Sequence, residues 1–188
     1  MRTSPVLAAL LVMTVAAPSA AQTLSAAPST RATAVVTLTA PRVQGQAPSA
    51  AKTITVDYGQ PHARGRAVPT ELATDGTVWR TGANSSTTLT TQADLTIGGV
   101  AVPAGAYSLY SIREGGKYFL IINRNTGQWG TEYDKSKDLA RVPLTARTLH
   151  EPVESLQIAF VPPASGPAAG KLTIAWGTLH LSTDWAAK

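Results

Sequence analysis

The sequence predicts an all-β chain folded as an antiparallel two-sheet β-sandwich, with a partly closed β-barrel as the alternative. Three observations carry this. Short runs of alternating apolar and polar residues recur from Ala51 onward. Glycine pairs and Gly/Pro/Asn clusters punctuate them at close spacing. Apolar spacing of helical period is confined to one turn near residues 136–140.

The elements follow in order. Arg2, the apolar run 6–15, Pro18 and the small residues Ser19 and Ala21 have the parts of a secretory signal peptide cleaved after Ala21. The run is about half of the ~20 apolar residues that a membrane span needs. The chain is therefore expected to be exported, periplasmic or extracellular, with no membrane span after cleavage. Residues 22–50 are rich in Ala, Thr, Ser and Pro and read as a mostly flexible leader, in which 34–39 has strand propensity and could pair as an edge. Residues 51–188 form the sandwich domain. Ile54, Val56 and Tyr58 alternate with Thr53, Thr55 and Asp57. Residues 78–80 and 87–91 read as short strands around a turn at Gly82, Ala83 and Asn84. The runs 95–97 and 100–102 flank Gly98-Gly99, a type I′ hairpin signature. The runs 106–113 and 117–124 flank Glu114-Gly115-Gly116, and the apolar stretch 118–122 belongs at the centre of a sheet because both of its faces are apolar. Residues 155–160, 171–176 and 179–181 complete the set, with Gly177 either in a tight turn or as a bulge in one bent strand.

Composition narrows the chemistry. The 188 residues contain no cysteine, which excludes a disulfide scaffold, a thiolate metal site and a cysteine nucleophile. Charged residues make up 14%, against roughly 25% in an average globular protein. The net charge of +5 is thinly spread and no nucleic-acid-binding motif is present, so nucleic acid is not an expected partner.

Four segments in series carry a resemblance. The first is Asp57-Tyr58-Gly59-Gln60-Pro61 with Arg64-Gly65-Arg66, and the second is Val78-Trp79-Arg80-Thr81-Gly82-Ala83-Asn84. The third is Asp94-Leu95, Ile97-Gly98-Gly99 and Val102-Pro103-Ala104-Gly105-Ala106-Tyr107-Ser108-Leu109-Tyr110. The fourth is Gln128-Trp129-Gly130, Tyr133-Asp134 and Asp138-Leu139-Ala140-Arg141-Val142. Together they resemble the bacterial exported family catalogued as domain of unknown function 2911, over about residues 51–181. The resemblance implies an exported β-rich domain and brings no activity, ligand or catalytic residue.

The residues themselves offer few catalytic constellations. His62, His150 and His180 share no metal-ligand spacing, and no cofactor motif is present. His62 beside Arg64 and Arg66 could act as an acid or base if a carboxylate such as Asp57 folded near it, but a plain loop histidine is the stronger reading. Ser85 lacks the Gly-x-Ser-x-Gly context of an exposed nucleophile. Glu132, Asp134, Ser136 and Asp138 alternate as calcium ligands might, yet Lys135 and Lys137 interleave and no glycine stands at the sixth position, so a solvated charged loop is expected, with Asp138 pairing Arg141. Lys52, Arg64, Arg66 and Arg80 could hold an anion if they cluster. The glycines Gly59, Gly65, Gly82, Gly99, Gly105 and Gly130 are expected where turns need unusual φ values.

The leading expectation is a non-catalytic binding module for an envelope or extracellular ligand, a sugar or small anion. Tyr58, His62, Arg64, Arg66, Trp79, Arg80, Asn84, Trp129 and Tyr133 would line its site if the loops gather at one end of the sandwich. The competing expectations are a metal-independent hydrolase based on His62 and a structural or assembly protein of the cell envelope.

Overall fold

Alternation becomes pairing along most of the chain. A computed structural model describes residues 23–188, so the expected signal peptide at 1–21 lies outside the described residues. The strands in chain order are β1 (Ser29–Leu38), β2 (Lys52–Pro61), β3 (Val78–Trp79), β4 (Thr87–Thr91), β5 (Leu95–Ile97), β6 (Val100–Val102), β7 (Gly105–Glu114), β8 (Lys117–Asn123), β9 (Asp138–Val161) and β10 (Ala169–Ala187). Short 3-10 turns form at Glu71–Ala73 and Lys135–Lys137.

All ladders are antiparallel. The path runs β1-β2-β4-β7-β8-β9-β10-β5-β6, with β3 beside β7. It ends at β1 and β6, which do not pair, so the sheet does not close into the alternative barrel. Two layers arise because β9 serves both. Its residues Asp138 to Leu144 pair with β8, and Thr145 to Val161 pair with β10. The layers meet in one core. Trp79 stacks on Trp176 at a centroid distance of 5.7 Å and 10°, and Phe160 meets Trp185 edge-on at 5.5 Å. The Ile158 backbone N–H donates to the Tyr58 hydroxyl at 3.3 Å.

Several elements differ from expectation for clear reasons. The strand expected at 34–39 begins at Ser29 and pairs with β2 at ten positions. Ala32, Ala34, Val36 and Leu38 face inward against the core, while Arg31 and Thr33 on the outer side hold the Asp57 carboxylate. β9 is far longer than the 155–160 expected. Its middle is largely exposed and carries charges and Pro152, so it lacks apolar alternation; pairing with β10 holds it extended. The 136–140 turn is a 3-10 turn that ends where β9 starts. Gly177 is a bulge within one strand, since the β9–β10 register shifts on both sides of it. The hairpin glycines behave as read, with φ of +54° and +85° at Gly98 and Gly99.

β8 is buried on both faces, as expected of a central strand. Leu120 and Ile122 enter the main core, while Ile121 packs with Tyr110 and Ile112 in a second cluster on the opposite face. Val78, Phe119 and Tyr133 pack against that second cluster. This outer face of β7 and β8 carries the candidate site.

Candidate functional site

The loop between β8 and β9 folds back over the second cluster because a polar network ties it down. Asn123, fully buried, donates its Nδ2 to the Asp134 carbonyl at 2.8 Å and to Asp138 Oδ1 at 2.9 Å. Gln128 Nε2 donates to the Tyr110 hydroxyl at 2.8 Å, and that hydroxyl donates to the Glu132 carbonyl at 3.2 Å. Tyr133 lies 5.0 Å from Tyr110, ring to ring, and donates its hydroxyl to Asp138 Oδ2 at 2.6 Å. Arg141 reaches Tyr133, Asp138 and Glu114, so the expected Asp138–Arg141 pair forms at 3.5 Å. Burial, and then the bond to Asp138, push the Tyr133 phenol up to about 12. Burial also raises Tyr110. Both phenols are protonated at neutral pH and act as donors.

A second loop, between β3 and β4, meets the first. The Gly130 N–H donates to the Asn84 carbonyl at 3.0 Å, the Ser86 N–H donates to the Gln128 carbonyl at 3.1 Å, and Ser85 bridges Trp129. Three glycines are present here for space and not for φ, which corrects the turn reading. A Cβ on Gly59 would lie 1.9 Å from the Ala83 carbonyl oxygen, one on Gly82 2.7 Å from Thr87 Oγ1, and one on Gly130 2.6 Å from Arg80 Cδ. The left-handed backbone falls instead on Thr81 (φ 51°) and Asn84 (φ 63°). For a β-branched residue that conformation costs about 1–3 kcal/mol. Thr81 is held in it by full burial, by a 2.7 Å hydroxyl contact with Ser111, and by the Thr87 hydroxyl on its carbonyl at 2.9 Å.

Between the two loops lies a cleft of about 210 Å³ lined by Val78, Trp79, Arg80, Tyr110, Gly130, Thr131 and Tyr133. Trp129, at 50% exposure, stands beside it in sequence. Arg80 donates Nε to the Gly82 carbonyl at 3.2 Å and, among the described residues, forms no ion pair.

Of the nine residues expected to line a site, the structure brings Trp79, Arg80 and Tyr133 into this cleft, with Asn84 and Trp129 on the loops that wall it. Trp79 also fills the main core through Trp176. Tyr58 is buried and bonds β9. His62, Arg64 and Arg66 form a different cluster where the end of β2 meets β9. There His62 Nδ1 lies 2.7 Å from Ser155 Oγ, and the Arg64 N–H donates to Glu154 at 2.8 Å. Arg64 and Arg66 spend their guanidinium groups on the carbonyls of Pro28, Ala63 and His62. Lys52 begins β2 opposite Leu38, at the far end of that strand. The basic residues therefore do not form one anion site. His180 packs near Arg147, and burial followed by that charge lowers its pKa. Among the described residues no group of three metal-ligating side chains converges. Two of the acidic residues are already committed, Asp134 accepting from Ser136 and Asp138 from Tyr133 and Asn123.

Tyr110, Thr131 and Gly130 as a wall were not singled out from sequence. Tyr110 closes the third of the four segments that carry the resemblance and Gly130 lies in the fourth, so that series was the available signal. Fold and site together define an antiparallel β protein with a small cleft walled by two loops on one sheet face. Residues 40–184 match the family described as "Protein of unknown function (DUF2911)", and the chain belongs to that family. No curated protein and no solved structure matches it.

Proposed function

We propose that this protein is a non-catalytic binding module of the cell envelope or extracellular space, taking a small sugar or anion into the cleft between the 80–86 and 124–137 loops. One observation carries the reading: an aromatic-walled cleft contains a half-buried arginine with no acidic partner among the described residues. The strained Thr81 and the polar network behind Tyr133 support it, because strain and rigid walls are costs that binding sites commonly carry. The cleft of about 210 Å³ is below the roughly 300–1,000 Å³ of drug-sized sites. It suits a ligand of monosaccharide size or less, or one group of a larger ligand. Export is supported by the signal-peptide features of residues 1–21.

The test is an NMR titration of isotope-labelled protein with neutral monosaccharides, small carboxylates and inorganic phosphate. Saturable shifts at the Trp129 indole, Thr131 and Tyr133 are expected with at least one class. A panel that leaves these signals unmoved refutes the reading.

A hydrolase keeps one observation in its favour, the 2.7 Å His62–Ser155 contact. The carboxylate expected to orient His62, Asp57, is instead held by Arg31 and Thr33. Comparing Ser155→Ala with the parent on a chromogenic ester decides this reading: equal rates remove it.

A further inference from the structure

We infer that the cleft selects a monocarboxylate, held by the two terminal nitrogens of Arg80; this rests on the cleft being a binding site. The arginine is fixed along its length. Its stem lies against Gly130, where a Cβ would come within 2.6 Å of Cδ and 3.2 Å of Cβ, and its Nε is tied to the Gly82 carbonyl. What is left is the far edge of the guanidinium, with two donors pointing the same way. Other arginines of the fold are committed differently. Arg31, Arg113 and Arg141 pair with carboxylates, and Arg64 and Arg124 reach carbonyls with a terminal nitrogen. Neither terminal nitrogen of Arg80 meets an acceptor among the described residues.

A planar two-donor edge matches the two oxygens of a carboxylate. The lining argues against a dianion such as phosphate. Arg80 is its sole cation, and the Tyr110 wall feels the negative charges of Glu132 and Asp138. Arg141, behind Tyr133, is already paired with Asp138 and Glu114, so a second negative charge on the ligand would find no uncommitted cation beyond Arg80 in the lining. The rest of the lining is three aromatic rings and Val78, with Thr131 and Gly130, so it contacts the body of the ligand by area and by the Thr131 hydroxyl. Sugar acids and short hydroxy acids share this chemistry.

The experiment is calorimetric and NMR titration of the protein with glucuronate and lactate, each against its neutral amide, and with inorganic phosphate. The acids are expected to bind at least about tenfold more tightly than their amides. Glucuronate outperforming lactate would identify a sugar acid, and the reverse a short hydroxy acid; either supports the inference. Arg80→Gln should abolish the difference between acid and amide, and Arg80→Lys, which keeps the charge and loses the fork, should lose most of it. The acid–amide comparison on the unaltered protein needs no variant to fold. Amides binding as well as acids, or phosphate binding best, overturns the inference and leaves the binding reading standing. Cleft signals unmoved by every compound overturn both.

Discussion

Trp79, at the end of β3, and Trp129, in the loop between β8 and β9, are the same residue type, yet their roles are opposite. Trp79 is 5% exposed and stacks on Trp176, joining the two layers, while Trp129 is 50% exposed and precedes the cleft residue Gly130 in the chain. Trp79→Ala should cost about 3–5 kcal/mol in urea unfolding, and Trp129→Ala within about 0.5 kcal/mol. Similar losses for both would show that Trp129 is part of the core. Their sequence contexts do not separate them, because both stand beside turn residues. His180 supplies a titration. Burial and the Arg147 charge hold its pKa below the usual value near 6.5, so the unfolded chain takes up a proton first as pH falls. The contribution of His180 is therefore complete above about pH 6.5 and declines below it. His180→Gln should make the fall in Tm between about pH 7.5 and about pH 5.5 shallower than in the parent. An unchanged slope would show that His180 does not contribute.

At the scale of elements, the contact between β2 and the 80–86 loop is set by missing side chains. Gly59→Ala would drive a Cβ to 1.9 Å from the Ala83 carbonyl oxygen and force the loop off the strand. A loss of roughly 3 kcal/mol or more is expected in denaturant unfolding. Gly65→Ala is the control. No heavy atom outside its immediate neighbours lies within 4 Å of a Cβ there, and only its φ of +75° opposes the change, so about 1 kcal/mol is expected. Equal losses would mean that backbone conformation and not close approach dictates Gly59. Both glycines look like turn residues in the sequence. Their different reasons became visible only when a strand and a loop 24 residues apart were brought together. β9 teaches the same point. Its 155–160 end was legible because alternate residues are buried, while its 138–154 part was not, because the start is held by β8 and the exposed middle by β10.

For the whole molecule, the family match and the fold have different limits. The match begins at residue 40, yet β1 lies before it and pairs along all of β2. Removing residues through Leu38 should uncover the β2 edge and the apolar contacts of Ala34, Val36 and Leu38. A fall in Tm of roughly 5 °C or more is expected, measured by scanning calorimetry against the chain that retains β1. An unchanged Tm would show that β1 is outside the cooperative unit. The open path also leaves two edges, and β1, uncharged from Ala32 to Leu38, is the longer.

By itself the sequence determined the all-β class, the hairpins at Gly98-Gly99 and Gly115-Gly116, the central position of β8 and membership of the family. Those are local properties: side-chain alternation, glycine conformation and motif order survive being read one segment at a time. Tertiary structure decided which residues share a site. It took Tyr58 into the core, gave His62, Arg64 and Arg66 to a separate cluster, and set Arg80 beside Gly130, Tyr110 and Tyr133. These placements depend on pairing and close approach between segments far apart in the chain, and no local pattern of residues encodes them.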